Sequence, residues 1–577
     1  AFPPIGKDPY FLTLMAYGFF WFRLSTDAEP PAWHLDRTPV EDLAVLVLFD
    51  GWNSFFRNRV VPWRISMAEK TKNQFEREIL PRFLLRQRWY AAKTEPLVKA
   101  AIVEHVMLQS GETQWLLALV DIHGADKPAR YFVPLAMEFD DSDEQQPRIL
   151  ASAAIAKVRQ QAVTGLLADA MADEPFCRAM IDAIGAKREL KAEGGTLRFS
   201  PCDSFAKIVG DTLQEATPLQ RLTASSNSIS LLGDKLFLKA YRRLHNGISL
   251  ELEMGRYLTD VGGFEHCVPV AGSIDFHATD GTIYTLALLQ AQVANQGDAW
   301  SYTVGQLGRL LESCGNTDGG VCEDVSPMVE RMQVLARRIA ELHLVLARRT
   351  GNPDFDPEPV QADDLKRWVT AVEDECRNTL ELLSHRSKDW EKLLEELAQR
   401  VIEATPALIA RINQGLLAPP AGVKTRLHGD LHLGQVLICL DDFMIIDFEG
   451  EPQRTLAERR IKHSALRDVA GMLRSFDYAR HAALRQFATI TPDIDHLAPV
   501  ARQWEQSMRN GFLQAYGQVA VAGGLYPSIA DFETAIWLID LFELEKALYE
   551  LRYEMDNRPD WIGVPLAGIA GLAGISG

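Results

Sequence analysis

Residues 426–451 read RLHGDLHLGQVLICLDDFMIIDFEGE, and the folding of this stretch decides the architecture around it. Val436–Leu440 (VLICL) is a short apolar, partly β-branched run. Asp441-Asp442 is a turn signal, and Phe443–Ile446 (FMII) is a second apolar run, so the pattern predicts a β-hairpin. An antiparallel hairpin returns the chain to the end where it began. Asp430, before the first strand, and Asp447, after the second, therefore project from the same edge. Two carboxylates and an amide gathered in this way suit phosphoryl transfer from a metal–nucleotide complex. Asp430 is the candidate acceptor of the attacking hydroxyl's proton. Gln435 offers an amide oxygen to magnesium, Asp447 is a hard anionic ligand, and Glu449 adds a carboxylate, as ligand or as outer neighbour. His428 braces the loop; His432 either does the same or reaches the substrate.

HGDLHLGQ followed by IIDFEGEP resembles the sugar-kinase branch of the aminoglycoside-phosphotransferase and protein-kinase-like superfamily, and within it the maltokinases, which make maltose 1-phosphate from maltose and ATP. In protein kinases the corresponding pattern is HRD, a downstream Asn, then DFG. Gly429, Gln435 and Glu449 depart from it in the maltokinase direction. The resemblance implies an α+β, bilobal protein-kinase-like fold: an N-terminal cap subdomain, a β-rich nucleotide lobe and a helical C-lobe. It also implies ATP and Mg2+ between the lobes, with Asp430 orienting the anomeric hydroxyl of maltose.

The 577 residues allow several domains, and 47% hydrophobic residues supply an ordinary core. With 60 Lys and Arg against 78 Asp and Glu, the net charge is −18. That balance disfavours nucleic-acid binding and suits a cytoplasmic protein. The seven cysteines are scattered without a CxxC pair, which predicts unpaired thiols. No run reaches the roughly 20 apolar residues that cross a bilayer, and no signal-peptide pattern opens the chain.

Working outward, PYFLTLMAYGFFWFRL (Pro9–Leu24) resembles the last strands of the β-domain that ends trehalose synthases, enzymes often fused to a maltokinase. The resemblance implies the C-terminal part of such a fusion, with trehalose synthase as a fused or associated partner. Leu43–Phe49 reads as a buried strand. From Gln74, QFEREILPRFLLRQRWYAAK has helical spacing and resembles the start of a maltokinase cap. AAIVEHVML, QWLLALVDI and RYFVPLAMEF predict an antiparallel sheet, and Leu150–Ile184 reads as helical.

Between Thr196 and Ala294 the pattern resembles the nucleotide lobe. Lys239 lies in the strand-like LFLKA, where an ammonium among apolar neighbours needs an anion. In kinase-like lobes such a lysine contacts the α- and β-phosphates and pairs with a helix glutamate. Glu253 is the expected partner, with Glu251 as the alternative because the helix phase is loose. Ser226, in the small polar loop Ser225–Ser230, is a candidate phosphate cover. Gln290 ends the strand YTLALLQ, where backbone groups of 290–292 would read the adenine. Near the C-terminus, ELEKALYELRYEMDNRPDWIGVPL offers Tyr553, Asn557, Arg558 and Trp561 for a carbohydrate, or else simply ends a helix. Expected divisions are 1–73 (trehalose synthase remnant and connector), 74–195 (cap), 196–293 (nucleotide lobe) and 294–577 (C-lobe). The rival readings are a kinase of another hydroxyl acceptor and a non-catalytic regulatory module.

Overall fold

A computed structural model describes residues 43–575 apart from 91, 94, 125–128, 140–148, 211–218, 223–226, 316–323, 388–389 and 489–494. The N-terminal segment that resembles trehalose synthase, and Ser226, therefore lie outside the described residues.

The first sheet runs in the order Val45–Leu48, Ala154–Gln160, Val163–Asp169, Arg130–Phe139, Thr113–His123, Lys99–Ser110. Its side chains alternate between two faces, and in the central strands both faces are buried. Along Thr113–His123, Trp115, Leu117 and Leu119 enter one core while Leu116, Ala118 and Val120 enter another. The second of these cores is closed by the helical stretch 65–86 through Phe75, Leu80 and Leu84. Leu43–Phe49 contributes Val45–Leu48, which pairs in parallel with Lys157–Gln160.

Leu150–Ile184 is not one helix. It forms the hairpin Ala154–Gln160 and Val163–Asp169, turning at Gln161 (φ 55°), and only Glu174–Gly185 is helical. Its alanines favour a helix, but pairing of Val163–Asp169 with Arg130–Phe139 overrides that weak local preference.

The second sheet runs Glu189–Lys191, Gly195–Pro201, Val270–Ala278, Ile283–Ala291, Leu236–Ala240, Ser228–Leu232, Leu219–Leu222. It shares a core with the first: Trp115 and Phe176 pack in the same cluster as Leu238 and Leu288. Leu236, Leu238 and Ala240 point into that cluster, so the period of two places Lys239 on the opposite face. Just beyond, Arg243–Leu244 pairs with the first sheet at Arg130 and Tyr131.

The chain after residue 298 is mostly helical around one large core, into which the predicted hairpin Val436–Cys439/Asp442–Ile445 inserts Val436, Ile438, Phe443 and Ile445. The molecule is thus α+β and bilobal: a β-rich half with an N-terminal cap, and a helical half. No described helix is long and apolar enough to cross a membrane. Cys177, Cys202, Cys267, Cys376 and Cys439 are free thiols, but Cys314 is disulfide-bonded, contrary to the expectation of unpaired cysteines throughout.

Candidate active site

The loop before the hairpin is shaped by a buried carboxylate. Asp468 accepts the backbone N–H of His428 at 2.8 Å and of Gly429 at 2.9 Å, and lies 3.2 Å from His343 Nε2. Burial alone would raise its pKa; His343 and the backbone donors outweigh this and hold it low. Gly429 takes φ +84°, and a Cβ there would sit 3.4 Å from the Gly450 Cα. The HGD turn therefore needs its glycine. His428 stacks loosely on Phe448 and places Nε2 2.8 Å from the Ile446 carbonyl, so that nitrogen carries the proton. Through this bond the loop bearing Asp430 is fastened to the residue before Asp447.

Asp447 has φ +65°, an uncommon conformation for a residue with a Cβ. Its Oδ2 accepts the Gln435 amide N–H at 3.1 Å, which leaves the Gln435 oxygen for a cation, while its Oδ1 is buried without a hydrogen-bond partner. Burial, then the charge of Glu449, pushes its pKa up. Oxygen atoms of Glu251, Asp447 and Glu449 lie within 4.8 Å of one another. An orphaned buried carboxylate oxygen inside such a cluster fits a hard divalent cation.

Lys239 faces this cluster, 2.6 Å from Glu251 and 2.5 Å from Glu449. Burial disfavours its charge, but Glu251, Glu449 and Asp447 together raise its pKa well above the ordinary lysine value. Glu253, the expected partner, is turned away by the helix phase. It binds Arg426 at 3.0 Å and Arg460 at 2.7 Å, while Glu251 takes the lysine. Glu449, expected on the metal, touches Lys239 directly and is also within reach of a cation beside Asp447.

Gln290 is nearly buried at its strand end, in register with Phe237 and Val270. The next two N–H groups are committed to protein carbonyls, Ala291 to Pro269 and Gln292 to Lys235. An adenine reader expected at 290–292 thus finds no spare N–H at 291 or 292.

Asp430 stands at a cavity of about 350 Å3. Its Oδ1 is 2.8 Å from the Lys546 Nζ, on the helix Trp537–Asn557. Burial would raise the Asp430 pKa; Lys546 overcomes this and holds it below the ordinary aspartate value. His432 is not on the cavity wall. Its Nδ1 accepts the Gly434 N–H at 3.1 Å, and burial drives its pKa down to about 4, so it is a neutral brace of the turn.

The carbohydrate candidates lie further along the same run than the residues that line the cavity. Glu545, Lys546, Tyr549 and Arg552 line the cavity, whereas Tyr553, Asn557, Arg558 and Trp561 do not. Arg558 folds back on Glu554 at 2.6 Å and lies against the Tyr553 and Trp561 rings; Trp561 stacks with Tyr478. The cavity-lining face had a sequence signal, since Glu545, Tyr549 and Arg552 follow helical spacing in the same run.

Most of the cavity's carboxylates are ion-paired, Glu458 excepted, which bonds Thr455. Glu375 pairs with Arg552, Glu451 with Arg454, and Glu545 with Arg454 and Arg467. A second cavity of about 300 Å3 adjoins it, sharing Gly429, Glu451, Arg454 and Phe542 and adding Trp368 and His463.

Residues 83–173 match the family described as maltokinase N-terminal cap domain, and residues 219–450 match the phosphotransferase enzyme family. A glucosamine kinase of Streptacidiphilus jiangxiensis is 25% identical over 293 residues, 48% of this chain and 56% of its own length. One of Mycolicibacterium smegmatis (strain ATCC 700084 / mc(2)155) is 27% identical over 254 residues, 43% and 55% respectively. The chain thus spans about half the length of the curated relatives it matches. A solved glucosamine kinase in complex with glucosamine, ADP and inorganic phosphate superposes with TM-score 0.57 at 19% identity, over 83% of this chain and 94% of that one. Another, crystal form A, gives 0.58 at 19%, over 85% and 96%. At that identity the likeness speaks for the fold.

Proposed function

We propose that this chain, which matches the maltokinase N-terminal cap over residues 83–173 and the phosphotransferase enzyme family over residues 219–450, is an ATP-dependent sugar kinase that phosphorylates maltose at its anomeric hydroxyl. The observation that carries the reading is the seating of Asp430 on a sugar-sized polar cavity while its loop is fastened, through His428 and Ile446, to the carboxylate cluster around Lys239. Asp430 accepts the proton of the attacking hydroxyl. Lys239 holds the non-transferred phosphates, kept in position by Glu251. Asp447, Gln435 and Glu449 would hold magnesium, whose charge offsets that of the phosphates.

Two features support maltose as acceptor. The adjoining second cavity gives room beyond one ring, with the Trp368 and His463 rings at its wall. Glu375, Asp430, Glu451 and Glu545 at the first cavity each have a cationic partner, while Glu458 bonds Thr455. A mostly paired wall suits a neutral sugar better than one bearing an ammonium group. The names of the curated relatives favour the second reading, glucosamine. Maltose 1-phosphate as a precursor of α-glucan, and association with trehalose synthase, belong to the same proposal.

The test is a panel of maltose, glucose, glucosamine and an aminoglycoside, scored for ADP release with magnesium, using wild type and Asp430→Ala side by side. Maltose turnover that Asp430→Ala lowers by about 1,000-fold is expected. Turnover of glucosamine but not maltose would reject the acceptor. Unchanged activity in Asp430→Ala would reject the mechanism.

A further inference from the structure

The kinase reading gives no task to Lys546, the cation at the acceptor end that touches Asp430. Lys546 reaches Asp430 from a helix 116 residues further along the chain. Its side chain is about four-fifths buried, its ammonium lies 4.9 Å from the Tyr549 ring centre, and it lines the cavity. Among the described residues its hydrogen bonds go to Asp430 alone, so two of its three N–H donors remain for a bound molecule.

A cation pressed against a general base is a poor device for proton abstraction alone, because it lowers the base's affinity for the proton. It makes sense if the charge is wanted elsewhere. In phosphoryl transfer, negative charge spreads over the oxygens of the moving group, and most of the catalysis is positioning and charge stabilisation. The group must pass beside Asp430 to reach the hydroxyl that Asp430 orients. Lys239 cannot serve there, since Glu251 and Glu449 hold it at the other end.

Resting on the kinase reading, we propose that Lys546 is a catalytic cation. One N–H fixes Asp430 toward the acceptor hydroxyl, and another meets an oxygen of the transferred phosphoryl group. In the step the acceptor oxygen bonds to the γ-phosphorus and the bond from that phosphorus to the β–γ bridging oxygen breaks. The electron pair leaves on ADP, and the hydroxyl proton passes to Asp430. Lys546 keeps its own protons throughout. The groups facing Asp430 are Lys546 from the helix and His428 and His432 from the loop; Glu451 and Glu550 also act on Lys546.

The experiment compares wild type, Lys546→Met and Lys546→Arg for kcat, KM for the sugar, the pH profile of kcat/KM and ATP affinity by calorimetry. For Lys546→Met we expect kcat to fall about 100-fold with ATP affinity kept. The acid limb of kcat/KM should move to higher pH, because Asp430 loses the charge that holds its pKa down. Lys546→Arg should recover kcat to within about tenfold of wild type. The proposal is overturned if Lys546→Met keeps wild-type kcat, or if its loss lies wholly in KM with the acid limb unmoved. Should Lys546→Met fail to bind ATP or to fold, Lys546→Arg decides: a folded arginine variant without recovered kcat overturns the proposal. A wild type that releases no ADP with any sugar overturns the kinase reading instead.

Discussion

Asp447 concentrates the cost of this site in one residue. It holds a left-handed backbone conformation, has one buried oxygen without a partner, and stands against Glu449 and Glu251. The orphaned oxygen and the clustered carboxylates disfavour the ion-free state and would be relieved by a divalent cation at the proposed site. The backbone conformation is a standing cost, so on this reading function and stability pull in opposite directions. Asp447→Asn keeps the shape and removes a charge. Without magnesium it should be more stable than wild type by about 1 kcal/mol, while its kinase activity falls below detection. Thermal melts with and without magnesium read this directly: wild type gains stability from the ion, the variant little. Equal gains in both would remove Asp447 from the ion site.

At the scale of elements, the hairpin was legible because two apolar runs flank Asp441-Asp442, and local pattern alone specifies such a pairing. The Lys239 strand was legible for the same reason. What failed depended on contacts that local pattern does not encode. Glu251 and Glu253 differ by about half a helical turn, and only docking of that helix on the second sheet selects the first. Lys546 meets Asp430 across 116 residues, and the neighbouring YELRYEMDNRPDW run, rich in sugar-like chemistry, drew the assignment past it. Ala154–Asp169 became strands because the first sheet supplied partners.

Asp468 shows how one element disciplines another, since a helix carboxylate fixes two successive N–H groups of the HGD turn. Asp468→Asn should cost about 3 kcal/mol at neutral pH, the scale of charge-assisted bonds lost in a buried site. The folded-state pKa of Asp468 is depressed, so its contribution is full above the unfolded value of about 3.9 and fades as pH falls through the lower folded value. Urea unfolding should therefore show a gap between wild type and variant that is constant from neutral pH to about 5 and closes on further acidification. A gap that widened on acidification would contradict the assignment.

Over the whole molecule, the first and second sheets are expected to unfold together. They share a core in which Trp115 and Phe176 pack with Leu238 and Leu288, and Arg243–Leu244 pairs across from the second sheet's chain into the first. At the crossing, Arg242 is fully buried. It binds Asp169 at 2.5 Å and Ser228 Oγ at 2.7 Å, with its guanidinium 4.9 Å from the Trp89 ring. Removing Arg242 takes the cation from the buried Asp169 carboxylate, which keeps its bond from the Met171 N–H, so Arg242→Met should cost about 3 kcal/mol. Because Arg242 follows Lys239 by three residues, the disturbance should reach Lys239, and on the role proposed for that lysine nucleotide affinity should fall along with stability. In calorimetry the β-rich half should still melt as one transition at a lower temperature, apart from the helical core, since the strand Thr113–His123 feeds both the shared core and the first sheet's second core. Release of an intact cap by limited proteolysis of Arg242→Met, with nucleotide affinity unchanged, would mean that the cap is only attached to the lobe, and that Arg242 does not couple it to the site.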